Sequence, residues 1–401
     1  MPHRSSRAHA PRPASGGGDI ALAGGCPSKP TLLSIVGDAL FPLFSSPEAT
    51  ALRPICREFK EAVAGFRFED EGTVIQGDVE KWRACFPCAR SANVRRCNRY
   101  SGGAFRSAPV GDVDCAHFAG LLALDASGCR DLSDAAFVGL GSLKRLNLSS
   151  CYQDGLTSGA FERLLNLREL DLSECCQLTD AALAPLRRLE KLCIRGTNLT
   201  SAALAGLAGL RELDMSSCHR VTDAAFAHLP GLRVLRMWGC AQITDAAFWH
   251  LGRLEELVMG LCVQVTDAAF EHLKGIKRLS MRGCNQATIT DAAFGHLGGI
   301  QRLNMSGCNQ PTITDAAFAH LSGILTLHMS ACTQATITNV AFEHLRGVER
   351  LDILRCNPDT VTADILLGLK EGGIKELRCS SPLHGAALRS GINAVHTMMP
   401  F

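Results

Sequence analysis

Leu254-Glu255-Glu256-Leu257-Val258-Met259-Gly260-Leu261-Cys262 runs through Val263-Gln264-Val265 into Thr266-Asp267-Ala268-Ala269-Phe270-Glu271-His272-Leu273, and the same wording recurs from about Leu121 to Phe401. In its first half Leu254, Leu257 and Met259 point to one side, and Glu256, Val258 and Gly260 to the other. That is the period-two pattern of a strand with one buried face. In its second half Thr266 caps a helix with its side-chain oxygen, and Asp267 in the first turn opposes the positive helix end. Phe270 and Leu273, three apart, share an inner face with Ala269. A unit this short cannot bury its apolar face alone and must stack on copies of itself. Strand inside, helix outside and a right-handed return to the next strand make an arc.

The first apolar residues of the strands are Leu121, Leu143, Leu167, Leu189, Leu210, Leu232, Leu254, Ile276, Ile300, Ile324, Val348 and Ile374. From the helix-start residue to the next strand the distance stays at nine residues, as from Asp267 to Ile276 and from Asn339 to Val348. The variation lies between the strand cysteine and the helix. Cys262 to Asp267 is five residues, whereas Cys284 to Asp291, Cys308 to Asp315 and Cys332 to Asn339 are seven, through insertions such as Asn285-Gln286-Ala287-Thr288. The extra residues are expected to raise a ridge on one rim.

These features resemble the cysteine-containing class of leucine-rich repeats. The resemblance implies an α/β horseshoe, a solenoid of about 12 repeats over 121–401 with a parallel sheet on its concave face and helices on its convex face. Upstream, Ala89-x-x-Ala92-x-Val94-x-x-Cys97 repeats the strand template with smaller residues and reads as a degenerate capping repeat within a 71–120 linker segment. Residues 1–30, rich in Pro, Gly, Ser, Ala and Arg with one acid, Asp19, read as a disordered tail. Their arginines also permit a transit peptide, but no convincing amphipathic helix accompanies them.

Residues 31–70 have helix-like apolar spacing, divided by Ser46-Pro47-Glu48. Asp38-Ala39-Leu40-Phe41-Pro42-Leu43-Phe44-Ser45-Ser46-Pro47-Glu48, followed by Leu52-Arg53-Pro54-Ile55-Cys56-Arg57-Glu58-Phe59-Lys60, looks like an F-box. That resemblance implies docking on a Skp-type adaptor of a cullin ubiquitin ligase through Leu40, Leu43, Phe44, Leu52, Ile55 and Cys56, while the repeats choose the substrate. The usual opening Leu-Pro is Val36-Gly37 here, and Ala49-Thr50 stands where a bulky leucine is usual. The same segment could instead be a helical cap over the first strand edge.

With 41 Lys and Arg against 39 acids, the chain of 401 residues carries a formal charge of only +2, so no global field draws it to nucleic acid or an anionic membrane. No apolar run approaches the roughly 20 residues that span a bilayer, and the first thirty lack the apolar block of a secretory signal. A soluble cytoplasmic or nuclear protein, monomeric outside a complex, is expected. Ten of the 19 cysteines, from Cys129 to Cys356, fall on one repeat position, where a small buried group fits better than a cross-link or metal ladder. Thr197 replaces cysteine in one repeat, which a ligand series would not tolerate. The histidine column His228, His250, His272, His296, His320 and His344 reads as packed helix-flank residues. Cys85 and Cys88, with Cys97, Cys115 and His117 downstream, are the best-spaced zinc candidates but lack a second close pair. No phosphate loop, nucleophile elbow or paired-carboxylate motif stands out, so neither catalysis nor a cofactor is expected.

Side chains on the concave face are free of the demands of folding. There the sequence places a polar and acidic series, Asn147, Ser149, Asp171, Ser173, Asp214 and Ser216, then Arg236, Trp238, Val258, Leu261, Arg278, Arg282 and Arg302, and farther on His328, Asp352, Leu354, Arg355 and Arg378. An exposed tryptophan among arginines and aliphatic groups is the composition of an interface hot spot. A protein partner is therefore expected to dock between about Arg236 and Arg355.

Overall fold

The computed structural model describes residues 67, 69, 72–75, 78–96 and 109–395. The 31–70 F-box-like segment, including Leu40, Leu43, Phe44, Leu52, Ile55 and Cys56, lies outside these apart from residues 67 and 69, as does Cys97.

One parallel sheet of 14 strands runs in strict sequence order. The strands are β1 (Ser91–Asn93), β2 (Ala123–Asp125), β3 (Arg145–Asn147), β4 (Glu169–Asp171), β5 (Lys191–Cys193), β6 (Glu212–Asp214), β7 (Val234–Arg236), β8 (Glu256–Val258), β9 (Arg278–Ser280), β10 (Arg302–Asn304), β11 (Thr326–His328), β12 (Arg350–Asp352), β13 (Glu376–Arg378) and β14 (Ala394–Val395). The central leucine of each strand from β2 to β13 pairs with its counterpart, as Leu257 with Leu279, and is buried. A slip of one residue would bring every such leucine to the open face, so the apolar period locks the register. β14 lies beyond the last leucine template and was not expected from the repeat.

The convex elements are single helical turns of three to six residues, such as Asp245–His250 and Asp267–Phe270. Nine residues from aspartate to the next strand leave room for one turn and a return. Among the described residues longer helices occur only at the ends: α1 (Val79–Cys85) before the array, α2 (Ile365–Glu371) and α3 (Ser381–Arg389) after most of it. Among the described residues no helix is long and apolar enough to cross a membrane. Between sheet and turns runs a column of buried rings, Phe137, Phe161, Phe226, Phe248, Phe270, Phe294, Phe318 and Phe342, with Leu183, Leu204 and Leu366 at that position in repeats that lack phenylalanine and Cys115 in the capping repeat.

Two hydrogen-bond ladders stitch neighbouring repeats. The threonine that caps most of the turns also binds the previous repeat: Thr314 donates its N–H and its hydroxyl to the two carboxylate oxygens of Asp291, each at 2.7 Å, while its oxygen accepts from Ala316 N–H. The same pair recurs at Asp267 with Thr290 and at Asp223 with Thr244. The aspartate therefore acts chiefly as an inter-repeat acceptor rather than as a partner for the helix end. At Asn339 the amide reverses one bond, accepting from Thr362 N–H and donating to its hydroxyl. Asp291→Ala leaves two donors without their acceptor and is expected to cost about 1–3 kcal/mol. Asp291→Asn copies the arrangement at Asn339 and should cost less than half as much, measured by urea unfolding of the two variants side by side.

The second ladder is the cysteine column. Each thiol donates to a strand-end carbonyl of the preceding repeat, Cys240 to Met215 at 3.1 Å, Cys262 to Met237 at 3.2 Å and Cys308 to Met281 at 3.1 Å. Burial pushes these thiols up, to about 12 for Cys129 and about 11 for Cys240, so the nucleophilic thiolate is suppressed.

Candidate functional site

The open face of the sheet is built from the first and third residue of each strand, and its charge is divided. Across β2–β6 it carries Arg145 and Lys191 against Asp125, Glu169, Asp171, Glu212 and Asp214, two cations to five acids. Across β7–β13 it carries Arg236, Arg278, Arg302, Arg350 and Arg378 against Glu256, Asp352 and Glu376, five to three. Part of the acidic half is occupied internally. Asn147, Asp171 and Asp214 each accept the backbone N–H two residues on, so this series finishes the strand ends rather than standing free.

In the basic half Glu256 accepts from both neighbours, Arg236 Nη2 at 2.6 Å and Arg278 Nε at 2.7 Å. Asp352 receives Arg378 at 3.1 Å and His328 at 3.7 Å, together with Leu354 N–H. Burial works to raise the pKa of the Asp352 carboxyl, but the bonds from His328 and Leu354 and the charge of Arg378 outweigh it and hold the carboxyl below its ordinary range. Between these two clusters Arg302 and Arg350 make no hydrogen bond or ion pair among the described residues. They stand on β10 and β12, with Thr326 of β11 between them in register. Together with Val258, Ser280, Asn304 and His328 they line a groove of about 420 Å³.

On the loops that follow β7 and β8 two large apolar side chains each cover the glycine of the next repeat. The indole of Trp238 lies over Gly260: a Cβ there would come 2.5 Å from a ring carbon, so only glycine permits the contact. Gly260 is accordingly buried, not facing outward beside Val258. One residue on, Leu261 leans over Gly283, its Cδ2 standing 2.9 Å from where a Cβ would be. Leu261 occupies a loop position that is left-handed in every repeat from Gly128 to Arg355 and is glycine on both sides, at Gly239 and Gly283. A leucine at φ 59° costs roughly 1–2 kcal/mol against glycine. The side chain recovers little of this by burial, being 41% exposed, with Trp238 42% exposed beside it.

The Leucine rich repeat family profile matches residues 121–178. No curated protein matches the sequence. Among solved structures the chain superposes on a chain of the Drosophila Toll–Spatzle complex with a TM-score of 0.58 at 14% identity, covering 76% of this chain and 41% of that one. In the mouse RP105/MD-1 complex the TM-score is 0.53 at 19% identity, with 78% and 53% covered. In the TLR13–ssRNA13 complex it is 0.50 at 17% identity, with 77% and 55% covered. The fold is a leucine-rich-repeat solenoid. It spans about two-fifths to a little over half of the length of those chains.

Within the leucine-rich-repeat frame the residues singled out from the sequence divide into two groups. Arg236, Val258, Arg278, Arg302 and His328 sit on strands β7–β11, while Trp238, Leu261, Arg282 and Arg355 follow the strands on the adjoining loop edge. Arg350 was missed, although it occupies the same repeat position as Arg278 and Arg302. Aligning strands by their central leucine finds it. The histidine column is less packed than expected: His228, His250, His320 and His344 are exposed, because the residue before the inward leucine of a single turn points outward. His272 stacks on the exposed Trp249 ring at 4.8 Å between centroids. Among the described residues no three His, Cys, Asp or Glu side chains are grouped to hold a metal ion.

Proposed function

We propose that this chain is a non-catalytic protein-recognition subunit, whose β7–β12 concave face and the Trp238–Leu261 edge hold a protein partner. The observation that supports the reading is the apolar edge made by Trp238 and Leu261, two large apolar side chains that stay 42% and 41% exposed beside a cationic groove. Trp238 alongside supplies the rigid aromatic anchor that dominates interface energetics.

The F-box-like sequence extends this to a role as the substrate-recognition subunit of a cullin ubiquitin ligase. The segment with Leu40, Leu43, Phe44, Leu52, Ile55 and Cys56 would hold a Skp-type adaptor, and the solenoid would present a bound protein to ubiquitin transfer performed by other subunits. Affinity purification of the full chain tests this. Recovery of a Skp-type adaptor and cullin, lost on Leu52→Glu with Ile55→Glu, supports the ligase role. Recovery of neither leaves a leucine-rich-repeat scaffold and removes the ligase.

A further inference from the structure

Among the described residues, the division of charge leaves two strand-borne arginines of the concave face, Arg302 and Arg350, outside any ion pair. Lys191 meets Glu212 at 3.5 Å, Arg236 and Arg278 share Glu256, and Arg378 is bound to Asp352. Arg302 and Arg350 have the same repeat position, yet among the described residues neither forms an ion pair; Arg350 only adds its charge to that of Lys375 beside Glu349, whose carboxyl is already bonded to Lys375. The register explains why Arg302 is left over. Its neighbours are Arg278, already committed to Glu256, and Thr326, which is buried and uncharged. Arg350 faces Thr326 on one side and Glu376 on the other without an ion pair to the glutamate. Both side chains are exposed and both rise from the floor of one groove.

Taking the recognition reading above as its basis, we infer that this groove binds an acidic stretch of the protein partner, with one carboxylate on Arg302 and another on Arg350. Strands in a sheet lie about 4.8 Å apart, which places the two arginines about 10 Å apart across β10–β12. A peptide in the polyproline II conformation crossing the strands returns every third side chain to the same face at about 9 Å, with a rise of about 3.1 Å per residue. Each guanidinium presents the fork that a carboxylate accepts in two parallel bonds. The acidic half of the face, β2–β6, repels the same peptide. Its direction of approach is thereby set: acidic residues on the β9–β12 groove, and the apolar part of the partner on Trp238 and Leu261 at the groove's edge.

The probe is a fluorescein-labelled hexaglutamate peptide, added to the full chain at low ionic strength and followed by anisotropy, with hexaglutamine and inorganic phosphate as comparisons. Hexaglutamate should bind, weaken as salt rises, and lose at least about tenfold in affinity when Arg302→Gln and Arg350→Gln are combined. Lys191→Gln, in the acidic half, should leave it unchanged, and hexaglutamine should not bind. Binding that is absent, that survives the double arginine change, or that inorganic phosphate displaces at concentrations equal to the peptide's would overturn the inference. Failure here, with partner capture still lost in Trp238→Ala, removes the acidic-segment assignment and leaves the recognition reading. Partner capture indifferent to both Trp238 and Leu261 removes the recognition reading itself.

Discussion

Phe248→Ala is expected to lower the stability of the solenoid by about 3–5 kcal/mol, the range for truncating a fully buried aromatic ring whose site cannot collapse. Phe248 has no solvent-exposed surface, and the equivalent rings of the neighbouring repeats, Phe226 and Phe270, are equally enclosed. Collapse around the void is restrained on two sides. The Thr–Asp ladder fixes the turn above it through Thr266 and Asp245, and the thiol of Cys262 fixes the strand end through Met237. Because stability in a stacked array is a sum of repeats and nearest-neighbour contacts, the loss falls on the interfaces to both neighbours as well as on the mutated unit. Phe248→Leu should cost under about 1.5 kcal/mol, since Leu183 and Leu204 already serve in this column. Urea unfolding followed by circular dichroism separates the two. An alanine variant with the midpoint of the parent would show that the phenylalanine column does not carry the core.

The contrast between Phe248 and Trp238 shows what a repeat sequence discloses. Phe248 and its equivalents recur at one position, replaced by leucine at 183, 204 and 366, so burial was legible from the pattern. The strands and their register were equally legible, because a period of two with a fixed central leucine allows one pairing. What the pattern concealed was the partner of each polar group. Asp171 and Asp214 looked like free acids on the concave face, yet both are tied to their own loops. Arg236 and Arg278 looked like free cations and share Glu256. Such pairings depend on side-chain reach across strands, which repeat position does not encode. The left-handed loop position was hidden too, since Ser150, Glu174, Ser217, Ala331 and Arg355 adopt it as well as glycine; what sets Leu261 apart is that its side chain is large, apolar and exposed.

Trp238→Ala combined with Leu261→Gly is expected to reduce affinity for the protein partner by at least about thirtyfold, equivalent to the 2 kcal/mol that defines a hot spot. Stability should move the other way or hardly at all. Glycine at 261 restores the residue found at 239 and 283 and removes left-handed strain worth roughly 1–2 kcal/mol, while the side chain lost is 41% exposed. Removing the Trp238 ring uncovers Gly260 without opening a cavity, because the ring lies on the surface of the backbone rather than in the core. The two readouts taken together are what distinguish a binding edge from a packing feature. A residue kept for folding would cost stability when replaced by its neighbours' glycine, and a residue kept for a partner would not. Unfolding midpoints at or above that of the parent, with partner capture lost, would therefore place the strain at Leu261 in recognition. A double variant that unfolds several kcal/mol earlier would return Trp238 and Leu261 to the fold and leave the concave groove without its apolar edge.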